Sequence, residues 1–104
     1  MVTPKNYQVI WDKEAYHQLE VICGYLEKES ATAPTIVKQA ILSRTKQLSK
    51  APLIYELDKL KVNNDGTYRA LTVYSYRVSY RAVKSTLTVK IFSVRHTSRE
   101  PLEH

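Results

Sequence analysis

The stretch that decides the fold runs from residue 67 to residue 100 and reads TYRALTVYSYRVSYRAVKSTLTVKIFSVRHTSRE. Apolar and polar residues alternate through most of it, which is the period of a β-strand with one buried face. The alternation predicts three strands, at about residues 68–74, 76–83 and 86–96. A sheet with one apolar face must cover that face. The rest of the chain therefore has to supply the cover.

The second and third of these strands can be paired into a hairpin. A two-residue turn at positions 84–85 would place Val78 opposite Ile91, and opposed residues point to the same side of a sheet. One face then collects the apolar side chains Val78, Tyr80, Ala82, Leu87, Val89 and Ile91. The other face collects Arg77, Ser79, Arg81, Thr88, Lys90, Phe92 and His96. The pairing predicts that Arg77 and His96 share the face that the core does not use.

The first hairpin is less regular. A tight turn at Tyr74-Ser75 puts Leu71 and Val73 on the core face, but it places Arg69 there as well. Arg69 then has to sit at a frayed strand end, or a β-bulge has to re-aim it.

The residues before this stretch supply the cover. Residues 7–11 (YQVIW) predict a first strand, and apolar residues at helical spacing predict helices at about 13–29 and 34–49. Residues 53–66 form a connector with a strong turn signal, Asn-Asn-Asp-Gly, at its end. The predicted fold is α+β, in the order β-α-α-β-β-β, with a mostly antiparallel four-stranded sheet covered on one face by a two-helix hairpin. Residues 1–104 make a single domain, in which 102–104 either begin an expression tag or are native.

Composition limits the classes of function. The chain has 104 residues, a net charge of +6, two glycines and one cysteine. It offers no apolar run near the ~20 residues of a membrane span, and no signal-peptide core, so we expect a cytoplasmic protein without membrane contact. Without a Gly-rich phosphate loop or a Cys/His cluster, neither a metal nor a cofactor is predicted. The positive balance favours phosphate or an acidic partner, or simply a solvated sheet face.

The cationic face and its histidine suggest one chemistry. Arginines stabilise charge that develops on a phosphate, and a histidine can transfer a proton near neutral pH. These groups suffice for metal-independent RNA cleavage, in which the 2′-hydroxyl attacks the adjacent phosphate. Tyr74, Tyr76 and Phe92 could stack on bases, or they serve only strand propensity.

Several short motifs, in their order and spacing, resemble the RelE/ParE toxin superfamily. They are YQVIW at 7–11 followed by DKEA, the Leu19/Ile22/Tyr25 stripe, Leu48 with Pro52, Tyr68-Arg69, YRVSY at 76–80 and Val94-Arg95-His96. The resemblance implies a bacterial toxin of a type II toxin–antitoxin pair, of the plasmid-stabilisation type, which a protein antitoxin neutralises. RelE-like members cleave mRNA in the ribosomal A site, whereas ParE-like members poison DNA gyrase.

The resemblance also assigns roles. Arg77 matches the arginine of the tyrosine–arginine strand motif, and Arg69 falls near a basic residue of the preceding strand. His96 falls where YoeB-type nucleases have a catalytic histidine, and Glu56 or Asp58 could stand near their glutamate. Two features differ from the RelE-like pattern and favour the ParE branch. The helical hairpin is long, and the tyrosine often found near the C-terminus of RelE-like nucleases is absent.

We therefore expect a ribosome-dependent mRNA endoribonuclease, with a DNA gyrase inhibitor as the alternative. A cationic binding module with neither activity is a third reading. The predicted catalytic residues are His96, Arg77 and Arg69. The predicted RNA- and phosphate-binding residues are Arg81, Lys90, Arg95 and Arg99. The expected partners are an antitoxin that blocks this site, and either the ribosome with mRNA or gyrase.

Overall fold

A computed structural model describes residues 6–99 of the protein, and side chains as far as residue 98. The elements are β1 (Gln8–Trp11), α1 (Lys13–Glu27), α2 (Ala33–Lys46), a 3₁₀ turn (Gln47–Ser49), β2 (Tyr68–Val73), β3 (Tyr76–Val83), β4 (Thr88–His96) and a final 3₁₀ turn (Thr97–Arg99). The sheet order is β1-β4-β3-β2. β1 runs parallel to β4, and the other two pairs are antiparallel. The predicted α+β fold, with its mostly antiparallel sheet, is confirmed.

The two helices cover one face of the sheet, which we call the helix side. In α1, Ala15 and Leu19 are fully buried, and in α2 the buried positions Val37 and Ile41 follow the same four-residue spacing. The sheet contributes alternate residues to the same core, namely Leu71, Val73, Tyr76, Val78, Tyr80, Ala82, Val89, Ile91 and Val94. The apolar periodicity of the sequence identified the core of both layers as far as Ile91, but not Val94, which strict alternation would place on the opposite face.

The β2–β3 hairpin has the predicted turn. Val73 pairs with Tyr76 across Tyr74 and Ser75, and Tyr74 has a φ of 53°, in the left-handed region that tight hairpin turns use. Arg69 pairs with Tyr80 and so lies on the helix side, as that turn requires. No bulge re-aims it. Its guanidinium instead donates a 2.7 Å hydrogen bond from Nη1 to the carbonyl of Tyr55.

The β3–β4 hairpin differs from the predicted register. Val83 pairs with Thr88, so the turn has four residues, Lys84 to Leu87, rather than two. The difference of two residues leaves the face of each side chain unchanged, because side chains in a strand alternate with a period of two. Val78 and Ile91 are accordingly both fully buried. The two-residue turn is wrong, but the faces it predicted hold as far as Ile91.

A β-bulge follows Ile91 and reverses the faces beyond it. Tyr80 pairs with Ile91, but the preceding residue Ser79 pairs with Ser93, so Phe92 is one extra residue in β4. After this bulge, Arg77 pairs with Arg95 and Tyr76 pairs with His96. His96 therefore shares the helix side with Tyr76, which is buried in the core. The prediction that Arg77 and His96 project from one face is wrong, because one extra residue inverts the alternation.

The connecting loop, residues 50–67, is held to the sheet by polar contacts. Tyr80 donates from its hydroxyl to the carbonyl of Pro52 at 3.0 Å, and Arg77 forms an ion pair with Asp58. Backbone hydrogen bonds run from Asp58 N–H to the carbonyl of Tyr68 and from Ala70 N–H to the carbonyl of Glu56. The loop thus covers the outer edge of β2. The predicted turn ends it, where Gly66 has a φ of 94° and donates to the Asn64 side chain.

The buried phenol of Tyr80 makes stability sensitive to high pH. Burial raises the pKa of Tyr80 to about 12, although the positive charge of Arg69 acts to lower it, while the ordinary pKa of a tyrosine is 10.0. Below pH ~10 both states keep the proton. Between these two pKa values the unfolded state loses its proton first, so the free energy of unfolding decreases by on the order of 2 kcal/mol. Urea unfolding at stepwise pH measures this loss.

The variant Tyr80→Phe isolates the contribution of Tyr80. It loses the hydrogen bond to Pro52 and should be less stable at neutral pH by about 1 kcal/mol. Its stability should nevertheless decline less steeply than that of the wild type at alkaline pH. Equal alkaline slopes for the two proteins would contradict the assignment.

The Asp58–Arg77 pair should be a main support of the connecting loop. The Asp58 side chain is 0% exposed and that of Arg77 is 19% exposed. Removing one partner of a buried pair leaves the other charge uncompensated, so Asp58→Ala should lower the free energy of unfolding by about 3–5 kcal/mol. The matched control is Asp65→Ala, because Asp65 also pairs with an arginine, Arg81, but is 54% exposed. We expect a much smaller loss for this control, and equal losses in urea unfolding would refute the role of Asp58.

Candidate functional site

The face of the sheet that points away from the helices, which we call the open face, is cationic. The strand pairing gives it these side chains of interest: Tyr68, Arg77, Arg81, Lys90, Phe92 and Arg95. Lys90 pairs with Arg81, which in turn pairs with Tyr68, so these residues form one row across three strands. Of the predicted site residues, Arg77, Arg81, Lys90 and Arg95 therefore do share a face.

An aromatic pair lies in the middle of these cations. The rings of Tyr68 and Phe92 meet edge to face with their centroids 5.7 Å apart. The Nζ of Lys61 lies 4.8 Å from the Tyr68 centroid, and the guanidinium carbon of Arg81 lies 5.1 Å from it. Cations at such distances are attracted by the negative face of the ring. This cluster is the part of the open face best suited to a planar or anionic ligand.

Sequence reasoning missed two members of this cluster. The correct turn at Tyr74-Ser75 already sets Tyr68 opposite Arg81, so the hairpin could have revealed Tyr68. Lys61 belongs to the connecting loop, and no local pattern marks it. Of the three aromatic residues expected to stack on bases, Phe92 belongs to this cluster, whereas Tyr74 lies at the exposed hairpin turn and Tyr76 is buried on the helix side.

Arg77 is committed to a carboxylate of the protein itself. Its Nη2 lies 2.5 Å from Oδ1 of Asp58, and the same oxygen accepts the backbone N–H of Leu60 at 3.0 Å. The half-buried guanidinium is therefore partly neutralised before any ligand arrives. Asp58, for which the sequence allowed a catalytic role, is fully enclosed and acts as the anchor of the connecting loop.

Arg69 lies on the other side of the sheet. It donates to the Tyr55 carbonyl, and its Nε finds no hydrogen-bond acceptor among the described residues. Its charge also acts on the phenol of Tyr80, where it lowers the pKa against the larger effect of burial. Arg69 thus joins the connecting loop to the core, and it lies on the opposite side of the sheet from Arg77.

His96 also lies on the helix side, at the end of β4. Its ring meets the ring of Tyr76 edge to face at 5.4 Å. The backbone N–H of Ser98 donates to Nδ1 at 3.1 Å, and the Ser98 hydroxyl lies 2.8 Å from the same nitrogen. Because a backbone N–H can only donate, Nδ1 is an acceptor and the neutral ring carries its proton on Nε2.

His96 faces a pocket between α1 and the end of β4. The pocket has a volume of about 520 Å³, and its lining residues are His17, Gln18, Val21, Ile22, Tyr25, Tyr76, Val94, Arg95, His96 and Ser98. His17 is exposed and forms part of the pocket rim. The two histidines of the described chain therefore both belong to the helix side.

The predicted site thus divides between two surfaces. The open face holds Arg77, Arg81, Lys90 and Arg95, while His96 and Arg69 lie on the helix side; the side chain of Arg99 lies outside the described part. The open face can bind an anion, but within residues 6–99 no imidazole reaches it to transfer a proton. The same residues contain no group of three His, Cys, Asp or Glu side chains that could hold a metal ion.

Solved structures share this fold at low sequence identity. The ParDE toxin–antitoxin system from P. aeruginosa has a TM-score of 0.68 and 16% identity, over 86% of this chain and 95% of that one. The archaeal RelE–RelB complex from Pyrococcus horikoshii has a TM-score of 0.65 and 18% identity, over 91% of this chain and 99% of that one. The RelBE2 toxin–antitoxin complex from Mycobacterium tuberculosis has a TM-score of 0.62 and 20% identity, over 88% of this chain and 98% of that one. These likenesses establish the fold, and both branches of the superfamily appear among them.

The sequence itself matches one family model. The model describes the ParE toxin of the type II toxin–antitoxin system parDE, and the match extends over residues 9–101. No curated protein matches the chain in sequence. None of the helices within residues 6–99 is long and apolar enough to cross a membrane. Because the family model spans nearly the whole domain, the chain belongs to the ParE toxin family of type II toxin–antitoxin systems.

Proposed function

We propose that this toxin acts by inhibiting DNA gyrase and does not cleave mRNA. The observation that carries the proposal is the bulge at Phe92, which puts His96 on the helix side while Arg77 stays on the open face. Cleavage through the 2′-hydroxyl needs a proton-transfer group and charge-stabilising groups at one phosphate. The side chains expected to fill these roles do not meet.

The partners of these side chains support the same conclusion. Asp58 occupies Arg77, the Tyr55 carbonyl occupies Arg69, and Ser98 occupies Nδ1 of His96. Each group thus has a structural role that accounts for its presence. The match to the ParE family, whose resemblance implied gyrase as the target, agrees with a toxin that works by binding.

A ribosome-dependent endoribonuclease is the second candidate, with a different site from the one predicted. The cluster of Tyr68 and Phe92 with Lys61 and Arg81 offers a stacking surface and cations on the open face. Cations there could bind and stabilise an RNA phosphate. This cluster contains no histidine, so any proton transfer would fall to another group.

A cognate antitoxin is the partner we infer for either activity. The neighbours from M. tuberculosis and P. horikoshii are toxin–antitoxin complexes. The net charge of +6 favours an acidic partner. An antitoxin segment packed on this domain would neutralise it by blocking or distorting the target-binding surface.

The two target assignments can be separated with one preparation of wild-type protein. We expect it to inhibit plasmid supercoiling by purified gyrase and to leave mRNA intact on programmed ribosomes. His96→Gln should not alter the state of the mRNA, because nothing is being cleaved. Intact supercoiling together with mRNA cleavage would overturn the gyrase proposal and favour the second candidate.

The double variant Arg81→Gln/Lys90→Gln tests the open face directly. If wild-type protein does cleave mRNA, loss of these donors should lower the rate by roughly 10²–10³-fold for each donor that stabilises the transition state. Both side chains lie outside the core, so circular dichroism should report an unchanged fold. Unchanged cleavage by the double variant would exclude the open-face cluster as the nuclease site.

A further inference from the structure

Three large apolar side chains project from the first half of the connecting loop, in a patch that we call the loop crest. Leu53 is 58% exposed, Ile54 is 65% exposed and Leu57 is 47% exposed. Apolar residues scattered singly over a surface are ordinary, but three within five consecutive positions form a patch. Leu57 faces the helix side, because it forms a β-bridge with Arg69, which lies on that side. None of the three lines the pocket beside α1.

The loop encloses a carboxylate while it leaves these aliphatic side chains in water. Asp58, the residue after Leu57, is fully enclosed with Arg77. The Tyr55 side chain, which follows Ile54, packs against the core. The ordinary arrangement is the reverse, because burial of apolar surface is favourable and burial of a charge is costly. The inverted pattern indicates that the outer side of the loop is complementary to an apolar surface of another molecule.

Backbone and side-chain contacts hold the loop crest in one conformation. The N–H of Ile54 donates to the carbonyl of Ala51 at 3.3 Å, so Ile54 closes a turn. The Tyr55 carbonyl accepts a hydrogen bond from Arg69 at 2.7 Å, and the Tyr55 hydroxyl accepts one from Arg44 at 3.4 Å. Because these contacts fix the loop in the free protein, binding of a partner needs little further ordering of the chain.

The end of α2 brings cations to the loop crest. Residues 30–55 contain four basic residues and no acidic one. The exposed cations nearest to the loop in sequence are Arg44, Lys46 and Lys50. The contact of Arg44 with the Tyr55 hydroxyl places the end of α2 beside the loop. Glu56, the next acid along the chain, has Lys59 as its ion-pair partner at 3.9 Å. The loop crest therefore has a cationic border.

We propose that the loop crest is the surface through which this toxin binds gyrase. The inference rests on the proposed function and names the contact that the function requires. The complementary surface of gyrase has an apolar pocket that receives Leu53 and Ile54, and carboxylates around the pocket that face the cations of α2. Apolar anchors at the centre and charges at the rim are the usual arrangement of a protein–protein interface.

The charge and chemistry of the patch favour this occupant over two others. A second copy of the chain would bring like charges together, because residues 30–55 hold no acid. Nucleic acid would be attracted by the cations, but aliphatic side chains offer no aromatic ring on which bases can stack. A protein surface that is apolar and acidic matches both parts of the patch.

The double variant Leu53→Gln/Ile54→Gln tests the apolar part. Both side chains are more than half exposed, so urea unfolding should show an unchanged stability. The affinity of the whole toxin for purified gyrase, measured by surface plasmon resonance, should fall at least about tenfold. The matched control Ile36→Gln changes a residue of α2 that is 52% exposed and lies outside the loop crest. It should change the affinity less than about twofold, and equal losses would overturn the proposal.

The double variant Lys46→Gln/Lys50→Gln tests the cationic border. Charges at the rim of an interface mainly speed association, so the association rate should fall at least about threefold and depend less on salt. The dissociation rate should change less than about twofold. The control Lys13→Gln/Lys84→Gln removes the same charge from exposed positions at the start of α1 and in the β3–β4 turn. Equal slowing by the two pairs would show that net charge alone acts and would refute the border.

Crosslinking to gyrase distinguishes the possible failures. The photoreactive residue p-benzoylphenylalanine in place of Ile54 should crosslink the toxin to purified gyrase, and the same residue in place of Ile36 should not. Crosslinks formed only between copies of the toxin would overturn the proposal. Gyrase inhibition by wild-type protein, with equally tight binding of the Leu53→Gln/Ile54→Gln variant, would overturn this inference alone. Wild-type protein that neither binds nor inhibits gyrase would overturn the proposed function and this inference together.

Discussion

The extra residue in β4 is the constraint on which the functional interpretation of this fold depends. Before Phe92, alternation directs Val89 and Ile91 into the core, and after it Val94 resumes the same direction only because one position has been skipped. The skip keeps the core continuous along the whole strand. Its consequence is that His96 turns towards the helices while Arg95 takes the open face. A change of one residue in register thus determines which chemical groups can meet.

The ion pair of Asp58 with Arg77 has a similar effect on the open face. A loop that lacks regular secondary structure needs anchors, and here the anchor is a fully enclosed carboxylate. Arg77 supplies the compensating charge, and this lowers the charge that the centre of the open face presents to a ligand. Further along the sheet, beside the Tyr68 and Phe92 rings, lie Lys90 and Arg81; the ion pair of Arg81 with Asp65 is half-exposed, unlike the enclosed pair of Arg77. The electrostatic centre of the open face is therefore displaced from the arginine that the sequence motif emphasises.

Sequence alone predicted the element order and the helix-covered sheet, because both follow from local periodicity. The tight turn put Arg69 on the core face, but the expected frayed end or bulge does not release it, since Arg69 stays paired with Tyr80. The turn after Val83 was not predictable, since Lys-Ser-Thr-Leu contains neither glycine nor asparagine to mark its length. The bulge did leave a trace, because the apolar residues Ile91 and Val94 are three positions apart where alternation requires two or four. The Asp58–Arg77 contact left no such trace in the sequence, because it joins residues that are 19 positions apart and connected by a loop. The fold was thus encoded by repeated local signals, while the arrangement of the site depended on one bulge and one ion pair.

The two surfaces of this domain are connected through β4. Phe92 contributes to the open face, and two residues later, at Val94, the strand begins to line the pocket beside α1. Arg95 belongs to both surfaces, because it pairs with Arg77 on the open face and also lines that pocket. A substitution at Arg95 therefore changes the charge of the open face and the lining of the pocket together.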